Sequence, residues 1–189
     1  MIRYLLTGLL LPGMHAIIFA QADSGLVTWN KYERLKWEDF QASPDKSPAD
    51  AITNSGLFFD YNYDGDSVLT IKVMSQFQKK FSWVKPESAN AKVLRHEQLH
   101  FDITELNARL LRKYFSEANY TRQIHFDVML PRMYNEYIKK LNGMQTIYDV
   151  ETQHGNNVQV QAQYEINIAR QLVELSKFEK TVLVFKLPK

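Results

Sequence analysis

The sequence predicts an α+β domain, a small sheet packed on helices. Two observations carry that prediction. Runs rich in β-branched and aromatic residues crowd the first half of the chain, with turn residues between them. In the second half apolar residues recur at three- and four-residue spacing over long stretches. Strands followed by helices is the order of an α+β fold.

Taken in order, residues 1–22 read as a secretory signal peptide. Arg3 supplies the positive start, Tyr4 to Phe19 is an apolar run interrupted by Pro12, Gly13 and His15, and Ala20-Gln21-Ala22 gives a small-x-small pattern. The run is shorter than the roughly 20 apolar residues that span a bilayer. Cleavage after Ala22 is expected, leaving 23–189 as one periplasmic or secreted domain without stable membrane insertion. The chain has no Cys, so a lipid-anchored start is not indicated, and any metal site must use His and carboxylates.

Residues 43–50, Ser-Pro-Asp-Lys-Ser-Pro-Ala-Asp, form the clearest loop. Ala51 to Tyr61 and Ser67 to Gln76 read as strands, and Asp64-Gly65 between them predicts a hairpin. Lys79 to Val84 reads as a further short strand, ended by Pro86. A helix is expected from Pro86-Glu87-Ser88, with Ser88 as cap, to about Tyr114. Its stripe is Leu99, Ile103, Leu106, Leu110 and Tyr114. A second helix is expected over Asp127 to Leu141, stopping at Asn142-Gly143. Met144 to Asn157 reads as irregular. A third helix carries Tyr164, Ile168, Leu172 and Leu175, and Thr181 to Leu187 reads as a last strand. Trp29, Trp37 and Trp83 are expected to anchor the core.

The chemistry concentrates in His96-Glu97-Gln98-Leu99-His100. On a helix His100 falls about 40° round from His96, so one face presents both imidazoles. Two such nitrogens can hold one zinc ion at about 2 Å. Glu97, about 100° round, suits a general base acting on water that the metal activates. The apolar stripe lies next to this face, which puts the His pair at the rim of the core. Asp102 and Glu105 point elsewhere on the helix and are poor ligands.

A catalytic zinc needs a third protein ligand and one open position. His154 is the preferred residue, because it sits in the segment read as irregular and Gly155 after it permits an unusual turn. His125 is the rival, and Glu136, Glu151 and Glu165 are carboxylate alternatives. Tyr148 and Asp149 lie close before His154. A Tyr148 hydroxyl near the zinc could stabilise a developing oxyanion; otherwise Tyr148 is a packed aromatic.

These residues resemble a known family. His96-Glu97-Gln98-Leu99-His100-Phe101-Asp102-Ile103, with Glu105-Leu106 and Ala108-Arg109, is similar to the helix of the bacterial domain-of-unknown-function 922 family, described as secreted zinc-dependent proteases. Ser82-Trp83-Val84, Trp37-x-Asp39-Phe40 and Ala51-x-Thr53 match its first half, and Tyr148-Asp149-x-x-Thr152-x-His154-Gly155 its second block. The resemblance runs from about Trp37 to Leu175. Leu99 stands where many members carry Gly, and Tyr164 where Trp is expected. The resemblance implies a zincin-like fold and favours His154 as third ligand. It also gives Tyr148 and Asp149 a place behind the ligands or at the transition state.

The expected function is therefore an exported zinc metallopeptidase. Zn2+ is held by His96, His100 and His154, with Glu97 as general base and Tyr148 at the oxyanion. Its partner is a protein or peptide substrate, laid by strand addition along an edge such as Ser67 to Gln76. A cell-wall amidase is the first alternative. The second is an exported module that keeps zinc for structure or interaction, without catalysis. A formal net charge of +2, with scattered Lys and Arg, gives no electrostatic case for nucleic acid.

Overall fold

A computed structural model describes residues 25–120 and 123–187, including side chains except at 123–125. The 1–22 segment lies outside the described residues. The fold is α+β. The order is β1 (Leu26–Thr28), β2 (Ala51–Ile52), β3 (Ser55–Tyr63), β4 (Val68–Gln78), β5 (Trp83–Val84), α1 (Ala91–Glu117), α2 (Gln123–Thr152), α3 (Val158–Glu174) and β6 (Val182–Lys186).

The β3–β4 hairpin forms as its turn chemistry predicts. Ser55 pairs with Phe77 and Tyr63 with Leu69. At the tip, Gly65 takes a φ of 86°, and Asp64 Oδ1 accepts from the backbone N–H groups of Asp66, Ser67 and Val68, each at 2.9 Å. Along β4, Leu69, Ile71, Val73, Ser75 and Phe77 are buried in strict alternation, which is the period of a strand with one face on the core.

β4 is the centre of the main sheet. β3 lies on one side; on the other, β6 covers Val68 to Lys72 and β1 covers Gln76 to Gln78. Thr181 and Trp29 continue that side, through Val73 N–H to the Thr181 carbonyl and Trp29 N–H to the Ser75 carbonyl. A substrate strand therefore cannot add along Ser67 to Gln76, which corrects the expectation above. β2 and β5 form a separate two-stranded ladder. The expected strand over Lys79 to Val84 is a turn of 3-10 helix, Lys79–Phe81, then the two residues of β5.

α1 packs on the buried face of the sheet through Leu99, Ile103, Leu106, Leu111 and Phe115. Asn90 caps it, accepting from Lys92 and Val93 N–H. Ser88 instead donates to Asp50 Oδ1 at 2.7 Å. Glu105 and two arginines bolt the helix to its surroundings. Glu105 Oε1 accepts from Arg109 Nε (2.9 Å) and Arg112 Nη2 (2.6 Å). Arg112 and Arg109 in turn donate to the carbonyls of Val73 and Leu172. Burial pushes the Glu105 carboxyl up and the Arg112 guanidinium down, against the attraction between them.

The largest departure from expectation is α2. It runs unbroken from Gln123 to Thr152, through Asn142-Gly143, so Met144 to Thr152 is helical and only Gln153 to Asn157 forms a loop. Packing outweighs the dipeptide's weak propensity. Leu130, Leu141 and Tyr148 are buried, and Tyr134, Tyr137 and Met144 pack against the core between them. That stripe keeps helical spacing straight across Asn142-Gly143.

A candidate metal centre between two helices

Three ligand atoms converge where α1 faces α2: Nε2 of His96, Nε2 of His100 and Oδ1 of Asp149. The two nitrogens are 3.2 Å apart. Asp149 Oδ1 lies 3.1 Å from His96 Nε2 and 3.0 Å from His100 Nε2. The continuity of α2 makes this cluster. Had the helix stopped at Asn142-Gly143, nothing would fix Asp149 on the face turned to α1.

The chemistry of this donor set suits a divalent cation. A tetrahedral ion with bonds of about 2.0–2.1 Å separates its ligand atoms by about 3.3–3.4 Å, and an octahedral face by about 2.8–3.0 Å. The three observed edges lie between those ranges or at the upper end of the lower one. Electrostatics point the same way. Burial alone would raise the Asp149 carboxyl, but hydrogen bonds and charge from His100 and His96 outweigh it and hold the group well below the usual carboxylate range. Burial would likewise depress His100, yet the Asp149 and Glu97 carboxylates and the Gln145 hydrogen bond raise it. Two carboxylates against two imidazoles make a site that favours added positive charge.

The rings are held from behind. Tyr148 stacks on His96, with ring centroids 4.7 Å apart at 20°, and meets His100 edge-on at 4.8 Å. Gly155 closes the other side. A Cβ there would sit 3.1–3.3 Å from the Cβ, Cγ and Nδ1 of His96, and its φ of 78° is left-handed. Gln153 and His154 before it also have positive φ, 50° and 52°. The three consecutive left-handed residues turn the chain sharply out of α2.

Two expected site residues stand elsewhere than expected. His154 is at the rim: its side chain is 74% exposed and its Nδ1 is 3.6 Å from Asp149 Oδ1. Its ring centroid is 6.5 Å from that of His96. The converging set draws on Asp149 in its place. Tyr148 is fully buried. Its hydroxyl points into the protein, 2.8 Å from Gln161 Oε1, to which it donates, and 3.2 Å from the His96 carbonyl. Burial pushes that phenol up, away from ionisation. It is a packing bed for the two imidazoles, and its hydroxyl faces Gln161 and the His96 carbonyl rather than the cluster.

Glu97 stands where the helical wheel puts it, beside the His pair. It is 4% exposed. Its Oε2 is buried with no hydrogen-bond partner among the described residues, although the residue lines a cleft of about 690 Å³ with His96, His100, Asp149 and His154. A buried polar atom without a partner costs about 1–3 kcal/mol, more when charged. Asp102, whose role the sequence left open, lies on the far side of α1. It accepts from Trp29 Nε1 (2.7 Å), Gln98 Nε2 (2.9 Å) and Arg34 Nη2 (3.0 Å), tying the 29–35 segment to the helix.

The cleft is also lined by the chain from Ser47 to Ser55. Thr53 Oγ1 donates to the Glu97 carbonyl at 3.2 Å. Lys85 N–H donates to the Asp50 carbonyl, and Ile52 pairs with Trp83. In an antiparallel ladder alternate residues bond the partner strand, so the N–H and C=O groups of Ala51 and Thr53 point to the other edge.

Compared with protein-family models, curated proteins and solved structures, the chain matches none.

Proposed function

We propose that this protein is a zinc-dependent hydrolase with a zincin-like arrangement, and that it cleaves peptide bonds. One observation carries the reading: three ligand atoms lie within 3.2 Å of one another, and their residues line a cleft with Glu97, which has a buried carboxylate oxygen without a partner. Zinc held by His96, His100 and Asp149 would supply a Lewis acid that polarises a carbonyl and acidifies water. Glu97 would take the proton from the attacking water and deliver it to the leaving amine. The outward edge of β2 supports an extended peptide as substrate, since Ala51 and Thr53, whose backbone groups turn away from β5, line the cleft. His154, exposed at the rim, is free to meet the substrate. Export is part of the same proposal and rests on the 1–22 segment. Among the described residues, no helix is long and apolar enough to cross a membrane.

Three convergent ligands support a catalytic rather than a structural zinc, for structural zinc is closed by four. The test is metal content together with hydrolysis of an unstructured protein. Wild type should carry about one zinc per chain, and Glu97→Gln should keep the zinc while losing about 100- to 10,000-fold in rate. No zinc uptake by wild type would sink the proposal. Preference for iron(II) would sink it too, because two His and one carboxylate also make the facial triad of iron oxygenases. Cleavage of cell-wall peptides with casein-like substrates untouched would move the activity to the amidase alternative.

A further inference from the structure

Resting on the metal-site reading above, we propose that Gln145 and Gln161 are positioning residues. They hold the ring proton of His100 and of His96 on Nδ1, so that both Nε2 lone pairs aim at one point.

The orientation of each amide is fixed by its other partners. Gln145 Nε2 donates to the His100 carbonyl at 2.9 Å and lies 3.2 Å from Thr104 Oγ1. Turning the amide over would set its oxygen against that carbonyl. Oε1 is therefore the atom 2.6 Å from His100 Nδ1, and an amide oxygen can only accept. Gln161 Nε2 donates to Glu165 Oε1 at 3.0 Å, while its Oε1 receives the Tyr148 hydroxyl. Turned over, its oxygen would face a carboxylate. Oε1 is thus the atom 3.2 Å from His96 Nδ1, and it too accepts.

A neutral imidazole with its proton on Nδ1 carries its lone pair on Nε2. Both Nε2 atoms and the Asp149 oxygen then meet within 3.2 Å. Without a metal, protons shared between Nε2 and Asp149 hold the cluster together, and a cation displaces them. The two glutamines hold the ligands in that arrangement, and outer partners of this kind typically contribute about 10- to 100-fold in metal affinity. They come from different elements. Gln145 is one turn before Asp149 on α2, whereas Gln161 is in the first turn of α3 and is itself backed by Glu165. Each histidine therefore has its own lock.

The experiment is nitrogen NMR of the zinc-free protein labelled at histidine, followed by zinc affinity from competition with a chromophoric chelator. In wild type, Nδ1 of His96 and of His100 should each carry a proton. Gln145→Met should release the Nδ1 proton of His100 alone, and Gln161→Met that of His96 alone. Each should weaken zinc by about 10- to 100-fold. A merely structural role would move neither nitrogen selectively. Wild-type rings protonated on Nε2 with Nδ1 bare would overturn the proposal, as would variants whose nitrogen signals and affinity match wild type. Protein that holds both Nδ1 protons but takes up no zinc would uphold the locks and remove the hydrolase reading.

Discussion

Two helical turns face each other across the cleft, His96 to His100 on α1 and Gln145 to Asp149 on α2. They share a plan: each sets its working groups at i and i+4, on one face. Their residues differ in kind. The α1 turn offers two imidazoles and a carboxylate in the spacing of a known mechanism. The α2 turn offers Asp149 as the third converging group, Gln145 as partner of His100, and Tyr148 as the surface on which both rings lie. These are common residues, and their meaning comes from what they touch. Half of this site is written as a motif and half as packing.

The comparison breaks most sharply at Asp149. Asp149→Ala should cost more zinc affinity than the roughly 100-fold that an outer partner contributes, because it removes a ligand. His154→Ala should leave zinc bound within a few-fold and act on turnover instead. The decisive measurement is chelator competition on both variants beside wild type. If His154→Ala empties the site and Asp149→Ala does not, the third ligand is His154, and the chain after α2 must close inward over the metal.

What was legible in the sequence follows the same division. The hairpin was legible because Asp64-Gly65 has few other uses between two β-branched runs. α1 was legible because its stripe is long and its motif rare. α3 and the last strand follow from plain periodicity. α2 was cut short because Asn142-Gly143 has the chemistry of a helix end. Leu141, Met144 and Tyr148 nonetheless continue the buried stripe at helical spacing, a signal present in the sequence and outweighed by two local residues. A helix that ended there would give Gln145 and Asp149 no shared face, which is why His154 reads as the third ligand. β1 and the cleft wall from Ser47 to Ser55 depend on long-range pairing, which no local pattern announces.

A smaller effect sharpens how the two turns are held together. Gly155 takes a left-handed φ, and a Cβ there would press on His96 at 3.1–3.3 Å. Gly155→Ala should therefore destabilise the fold by about 1–3 kcal/mol, the usual range for one strained backbone residue. Its effect on zinc should exceed that of an equally destabilising change far from the site, because the methyl presses on the His96 ring. Thermal melts with and without zinc would separate the two. Equal losses in both would mean that Gly155 serves the turn alone.

The smallest effect concerns the sign of a single substitution on α2. Gly143 lies inside the helix with an ordinary negative φ, and a Cβ there would meet nothing within 4 Å. Alanine in a helix interior is favoured over glycine by about 1 kcal/mol, so Gly143→Ala should stabilise the protein by up to about that amount. Were Gly143 the left-handed residue that ends a helix, the same methyl would be strained and the sign would reverse. Chemical denaturation of this one variant thus reports on whether α2 continues to Asp149. A stabilised protein means that the third ligand is carried by a rigid helix. A destabilised one means that Asp149 hangs from a loop, and the shared face with Gln145 is lost with it.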